Sequence, residues 1–301
     1  MSSIKDVARE SNVSTATVSH VINNTRFVSE EVRARVLEAI EKCRYYPNAH
    51  ARSLASGRSQ TIGLVISDIA NPFFPELVKS IEAAAFEHGY DVMLSNTNYD
   101  PLKTSNYVQR FIERKVSGVA VMTSEMDKQL VAELSHREVP VVFLDVGEVG
   151  INMNNLQVDY EDGIEQAILH LVSLGHKRIA YISGTTNIKS AKRRLVAFQR
   201  KMKQLFPDAP ELIFDGDFKI EGGRRAASEI VETMAENLPT AVIAANDLTA
   251  IGAISEFESL GLRVPRDISI IGFDDIALAA IIKPALKIGR ASCRERVLQV
   301  V

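Results

Sequence analysis

The chain has 301 residues, 46% hydrophobic and 24% charged, enough for a sizeable core and more than one domain. Its two cysteines, Cys43 and Cys293, are too few for a disulfide framework; no apolar run reaches membrane-spanning length and the N-terminus is polar, so a soluble cytoplasmic protein with no membrane partner is expected. The net charge of −3 is unevenly spread: residues 1–60 carry 9 Lys/Arg against 6 Asp/Glu, residues 61–286 carry 22 against 31, and residues 287–301 carry 4 against 1, so a basic head that favours phosphate precedes an acidic body.

The first elements are helical. Ile4-Lys5-Asp6-Val7-Ala8-Arg9 predicts a short helix, Ser11-Asn12-Val13 a polar turn, and Ser14 the N-cap of a second helix running through Asn23. In that second helix Val18, Val21 and Ile22 recur at i, i+3 and i+4 as an inner apolar edge. Thr15, Ala16, Ser19, His20 and Asn23 gather on the opposite side, small or polar, with Arg26 just beyond. Two such helices around a tight turn make a helix-turn-helix, which lays its second helix in the DNA major groove. Ser29-Glu30-Glu31 starts a third helix, serine-capped and acidic in its first turn, with Val32, Val36, Ile40 and Cys43 on one stripe. A small helical subdomain with an ordinary solvated face has the same periodicity.

Pro47 and Gly57 then bracket one short helix, too brief to be stable alone in water. Its Leu54 and Arg52 suit a minor-groove wedge with phosphate support. They suit equally a linker that orders against the body.

From Thr61 the period changes. Thr61–Ile66 is a continuous apolar run, as in a buried parallel strand, and a helix from about Pro75 to His88 follows, stopped by Gly89. Asp91–Leu94, Val119–Met122 and Val141–Leu144 continue the alternation, as do Arg178–Ile182, Ala241–Ala244 and Ile268–Gly272. Repeated strand–helix units predict an α/β, doubly wound parallel body. A helix-free polar stretch near Gly150–Leu156 breaks it into lobes of roughly 61–155 and 156–286. The domain plan is thus a head at 1–46, hinge and linker at 47–60, body at 61–286 and an atypical tail at 287–301.

Ligands of such sheets bind beyond the carboxyl ends of the strands. There the chain places Phe73 and Phe74 after the first strand, Asp145 after the fourth, Arg193 and Arg194 after Ile182, Phe218 after a further apolar segment, and Asn246 and Asp274 after the last two. Aromatic planes, guanidinium, amide and carboxylate suit a polyhydroxylated ring, and a purine would use the same residue types. Each also has a plain explanation: Phe74 and Phe218 as core, Asp274 as a cap for a helix over Ile276–Ile282, Asn246 or Asp247 as a cap for a helix from Leu248.

The segment from Ile4 to Leu54 resembles the head of the lactose-repressor (LacI/GalR) family, and the likeness continues through Pro284-Ala285-Leu286. The residue choices are most similar to that family's ribose and purine repressors. The resemblance implies an all-α head on a periplasmic-binding-protein-like body, and a homodimeric transcriptional regulator that binds palindromic double-stranded operator DNA under control of a small-molecule effector. It implies DNA contacts by Thr15, Ala16, Ser19, His20, Asn23 and Arg26. It also implies a hinge helix that folds on the operator, with Leu54 levering open the central base step. It implies effector contacts by Phe74, Arg194, Phe218, Asn246 and Asp274, with Phe73 and Asp145 beside them. The purine repressor carries an extra arginine where this chain has Ile188, which tilts the expected effector toward a sugar or sugar derivative. A protein corepressor acting on the body is the other non-enzyme option.

Catalysis is not expected. Ser183-Gly184-Thr185-Thr186 lacks the spacing and the lysine of a phosphate loop, no Cys/His cluster has metal spacing, and no G-x-S-x-G elbow occurs, so neither cofactor nor metal is implied. After Leu286 the family continues with a strand toward the first lobe, a helix completing it, and closing strands. Lys287–Val301, with Arg290, Arg294 and Arg296 close together, matches neither strand nor helix of that ending. It reads as a truncated or altered ending, which would leave a sheet edge open and the body poorly soluble, or else as a genuine short variant.

Overall fold

A computed structural model describes residues 2–46, 59–123, 130, 139–145, 153–185, 187–289 and 293–296. The chain divides into two compact units, residues 1–59 and 60–301. The hinge segment with Arg52 and Leu54 lies outside the described residues.

The first unit holds α1 (Ile4–Glu10), α2 (Thr15–Asn23) and α3 (Glu30–Cys43). At the start of α1 the Ser3 backbone N–H and hydroxyl both donate to the Asp6 carboxylate, at 2.9 and 2.8 Å, which holds that carboxyl below its usual range. Ser14 caps α2 as expected, accepting from Thr17 N at 3.1 Å. Ser29 stands at the N-cap of α3, but its side chain makes no capping bond, contrary to expectation. Asn24 and Arg44 close α2 and α3 in left-handed conformation. Val7, Val18 and Val36, one from each helix, are fully buried and pack with Val21 and Ala39. Burying each such side chain contributes about 1.5–3 kcal/mol. Cys43 and Val32 line the same small core, so the predicted stripe of α3 is its inner face.

The second unit is built on two sheets. In chain order its first part runs β1 (Thr61–Ile66), α4 (Phe73–Glu87), β2 (Asp91–Asn96), α5 (Pro101–Glu113), β3 (Gly118–Met122), β4 (Val141–Leu144) and β5 (Met153–Val158). Then come α6 (Tyr160–Ser173), β6 (Ile179–Ile182), α7 (Lys189–Leu205), β7 (Ile213–Phe214), α8 (Ile220–Met234), β8 (Ala241–Ala244), α9 (Asp247–Ser259), β9 (Ser269–Gly272), α10 (Ala277–Ile281), β10 (Lys287–Ile288) and β11 (Cys293–Arg296). The first sheet has the order β11-β5-β4-β3-β1-β2 and the second β10-β9-β8-β6-β7. All pairings are parallel except β11 against β5. Ile179–Ile182 and Ala241–Ala244 are buried on both faces, which is why they read as unbroken apolar runs. No described helix is long and apolar enough to cross a membrane.

Three expectations need correction. The helix placed from Pro75 begins two residues earlier, at Phe73, because Pro72 suits a helix start and Asn71 Oδ1 accepts from Phe73 N at 3.1 Å. The polar stretch expected to part the lobes contains β5, in the first sheet. Its asparagines hide a period of two, with Met153 and Asn155 buried and Asn154 exposed. The tail, expected to match no strand, pairs with both sheets: Lys287–Ile288 lies parallel to β9, and Cys293–Arg296 runs antiparallel along β5. An edge strand is held by backbone bonds, so a polar Cys-Arg-Glu-Arg run carries little sequence signal.

Candidate DNA-reading face and ligand cavity

The outer face of α2 is assembled as its periodicity predicts. Thr15, Ala16, Asn23 and Arg26 are exposed, Ser19 and His20 half-buried. Asn23 Nδ2 donates to Ser19 O at 3.0 Å and to Ser19 Oγ at 3.2 Å, so these two side chains form one polar unit. His20 Nδ1 lies 2.9 Å from Thr25 Oγ1. A side chain as small as that of Ala16 puts little bulk on this face, and hydroxyl, imidazole and guanidinium are groups of the kind that bond base edges and phosphates.

In the second unit all seven predicted effector residues line one cavity of about 580 Å³, within the usual range for small-molecule sites. The wall is made where strands end: Ser67 after β1, Thr123 after β3, Asp145 after β4, Asn246 after β8, and Phe273 and Asp274 after β9. Phe73 and Phe74 stand at the first turn of α4, with ring centroids 5.2 Å apart and planes at 80°.

A buried ion pair is the chemical centre. Arg194 and Asp274 lie 3.6 Å apart with side chains about nine-tenths buried. Arg194 is in the second turn of α7, donates through Nη1 to Ala245 O, and has Phe273, Tyr160 and Phe218 rings 4.3, 4.7 and 5.7 Å from its guanidinium carbon. Burial works against its charge, but Asp274 and the Tyr160 and Tyr181 hydroxyls outweigh it and raise its pKa. Arg194 Nε is buried with no hydrogen-bond partner among the described residues. Burial pushes the Asp274 carboxyl up to about 6, against Arg194 and against hydrogen bonds from the Asn71 and Asn246 side chains.

The surrounding polar groups are held by protein. Asn246 caps α9 through Thr249 N at 2.9 Å and donates to Phe218 O at 3.0 Å. Asp247 is not a cap. Fully buried, it accepts from Phe273 N, Asp274 N and Ile276 N at 2.8, 3.2 and 2.9 Å, and so fixes the loop that presents Asp274. Asp145 is likewise saturated, by Val158 N at 3.0 Å, the Tyr160 hydroxyl, and Arg193 at 3.2 Å. Asp145–Arg193 joins the first sheet to α7. A second link across the cleft runs from Ala277 N, at the start of α10, to Glu76 Oε1 of α4 at 2.9 Å.

Asn71, Tyr99, Tyr160 and Phe273 also line the cavity and were not singled out from sequence. Tyr99 sits in the turn after β2, at φ 60°, nearly parallel to Phe218 (18° between planes, centroids 6.5 Å apart). The rule that strand ends build the site applies to it as much as to Asp145. Ile188 does not line the cavity; it is buried in the core of the second sheet.

Comparison with known proteins places both units. Residues 3–48 match the family model described as bacterial regulatory proteins, lacI family, and residues 168–288 match a periplasmic binding protein-like domain. The chain is 38% identical over 288 residues to the HTH-type transcriptional repressor PurR of Aliivibrio salmonicida, covering 95% of this chain and 86% of that protein. A solved lac repressor dimer bound to operator and the anti-inducer ONPF aligns over 98% of both chains, at 26% identity and a TM-score of 0.83. A putative ribose operon repressor from Burkholderia thailandensis aligns over 77% of this chain and 86% of its own, at 30% identity and a TM-score of 0.64. These relatives are repressors rather than enzymes, and the chain belongs to the lacI family of bacterial regulatory proteins as a DNA-binding transcriptional repressor.

Proposed function

We propose that the protein binds a palindromic operator in the cytoplasm as a homodimer, and that a sugar or sugar derivative in the body cavity controls that binding. The observation that carries the effector reading is the buried Arg194–Asp274 pair with Asn246, set among aromatic faces in a cavity of about 580 Å³. Fixed charged donors and acceptors suit adjacent hydroxyls, and aromatic faces suit the C–H side of a sugar ring. The lac repressor that aligns over 98% of both chains was solved as a dimer on its operator, which supports a second copy as partner. Thr15, Ala16, Ser19, His20, Asn23 and Arg26 read or position the DNA, and Leu54 wedges the minor groove. Effector and operator are then coupled reciprocally through the body.

A second reading, a purine base, is favoured by the near-parallel Tyr99 and Phe218 rings, which suit a flat ligand, and by the 38% identity to the repressor PurR. Calorimetry of the full chain against a panel of monosaccharides, sugar phosphates and free purines decides between them. Saturable heat with a sugar, lost in Asp274→Ala, supports the first reading, and heat with purines alone replaces it by the second. Heat with neither class leaves the body to a protein corepressor.

A further inference from the structure

We infer that Thr25 is a positioning residue that aims the His20 ring at the DNA, and that Arg33 holds the turn that makes this possible. The inference rests on the proposed base-reading role of His20. Its basis is a chain of contacts at the end of α2. Asn24 adopts φ 49° and ψ 40°, a left-handed conformation that asparagine tolerates better than most residues. That turn folds the backbone onto the last turn of the helix, so that Thr25 N donates to His20 O at 3.3 Å. The same fold brings Thr25 Oγ1 to 2.9 Å from His20 Nδ1. From α3, Arg33 Nη2 donates to Asn24 Oδ1 at 2.9 Å and pins the turn from outside.

The effect on His20 follows from imidazole chemistry. In a neutral ring one nitrogen donates and the other accepts, and because the threonine hydroxyl can take either part, engaging Nδ1 leaves Nε2 as the nitrogen free to meet a base edge. It also restricts the ring's rotation, ordering that otherwise has to be supplied on binding DNA. Thr25 is exposed, so its side chain contributes little to the core of the head. A threonine that merely ends the helix would affect every DNA sequence alike. A positioning threonine affects only the base pair that His20 reads.

The test uses the full chain, an operator selected from random duplexes, variants of it changed at each half-site position, and a non-specific duplex. Thr25→Val should weaken operator binding about three- to tenfold, the size of one net hydrogen bond. It should flatten discrimination at the same base pair as His20→Ala and leave non-specific affinity unchanged. Thr25→Ser should keep the ranking, Arg33→Gln should flatten it partly, and adding Thr25→Val to His20→Ala should change nothing further. Loss spread evenly over all duplexes, or full additivity with His20→Ala, overturns the inference while leaving His20 as a reader. An unchanged ranking in His20→Ala removes that reading and the inference with it.

Discussion

The reading face of the head and the cavity of the body use similar side chains under opposite conditions. On and beside α2 the polar groups are exposed or half-buried and engaged by hydrogen bonds local in sequence, Ser14 with Thr17 and Asn23 with Ser19. In the body a guanidinium and a carboxylate are withdrawn from water and held by groups from separate strand ends. Water screens and competes on the first surface and reaches little of the buried Arg194–Asp274 pair, so one changed atom weighs far more there. Recognition of a long polyanion gains from many weak adjustable contacts, whereas recognition of a small molecule needs a few strong fixed ones.

The sharpest attack on this contrast is Arg194→Ala. It leaves Asp274 buried without its counter-charge and removes the cation from among three rings, and should cost about 3–5 kcal/mol of body stability along with any effector response. Chemical unfolding of the second unit measures it. A loss below about 1 kcal/mol, the size of a surface pair, would erase the distinction.

The two regions also differed in how far they could be read from sequence. The head is local: cap, apolar edge and outer face of α2 lie within ten residues, and all appear where the periodicity put them. The cavity is not local, yet the rule that α/β sheets bind ligands beyond their strand ends pointed to eight side chains; the seven that the family resemblance implies as effector contacts stand in its wall, and Arg193 does not. What the rule could not supply were partners. Nothing in the order of residues says that Asp145 is spent on Tyr160 and Arg193, or that Asp247 holds a loop rather than a helix end. Tyr99 escaped because Asn98 and Tyr99 stand in a left-handed turn that propensity does not anticipate. The strand β5 escaped because asparagines mask its alternation.

A titration sharpens the contrast. Because the Asp274 carboxyl is raised from 3.8 to about 6 in the folded body, its stabilising contribution is complete below the unfolded value and is lost as pH rises through about 6. Asp274→Asn does not titrate, so its stability relative to the parent should improve between pH 4 and pH 7, by up to about 3 kcal/mol on the usual conversion. Melting curves of both chains across that window test it, and parallel curves would show the carboxyl to be unshifted.

The smallest effect belongs to the head. Ser14→Ala removes one cap and should destabilise α2 by about 1 kcal/mol, visible in the melt of the head and absent from that of the body. A loss of several kcal/mol would mean that the head, too, is governed by tightly coupled groups.

The packing of α8 on α9 has a bearing on how this cavity can change. A Cβ on Gly223 would stand 2.0 Å from Thr249 O, and one on Gly252 2.0 Å from Ile220 O, so the two backbones abut with no side chain between them. Phe218 and Asn246 sit at the leading ends of these same helices and are bonded to each other. The glycine pair therefore works as a machinist's datum, a bare contact from which the positions of both cavity residues are set. Ligand preference can drift by exchanging what is mounted at 218 or 246, whereas any side chain at 223 or 252 shifts the reference itself and both mountings together.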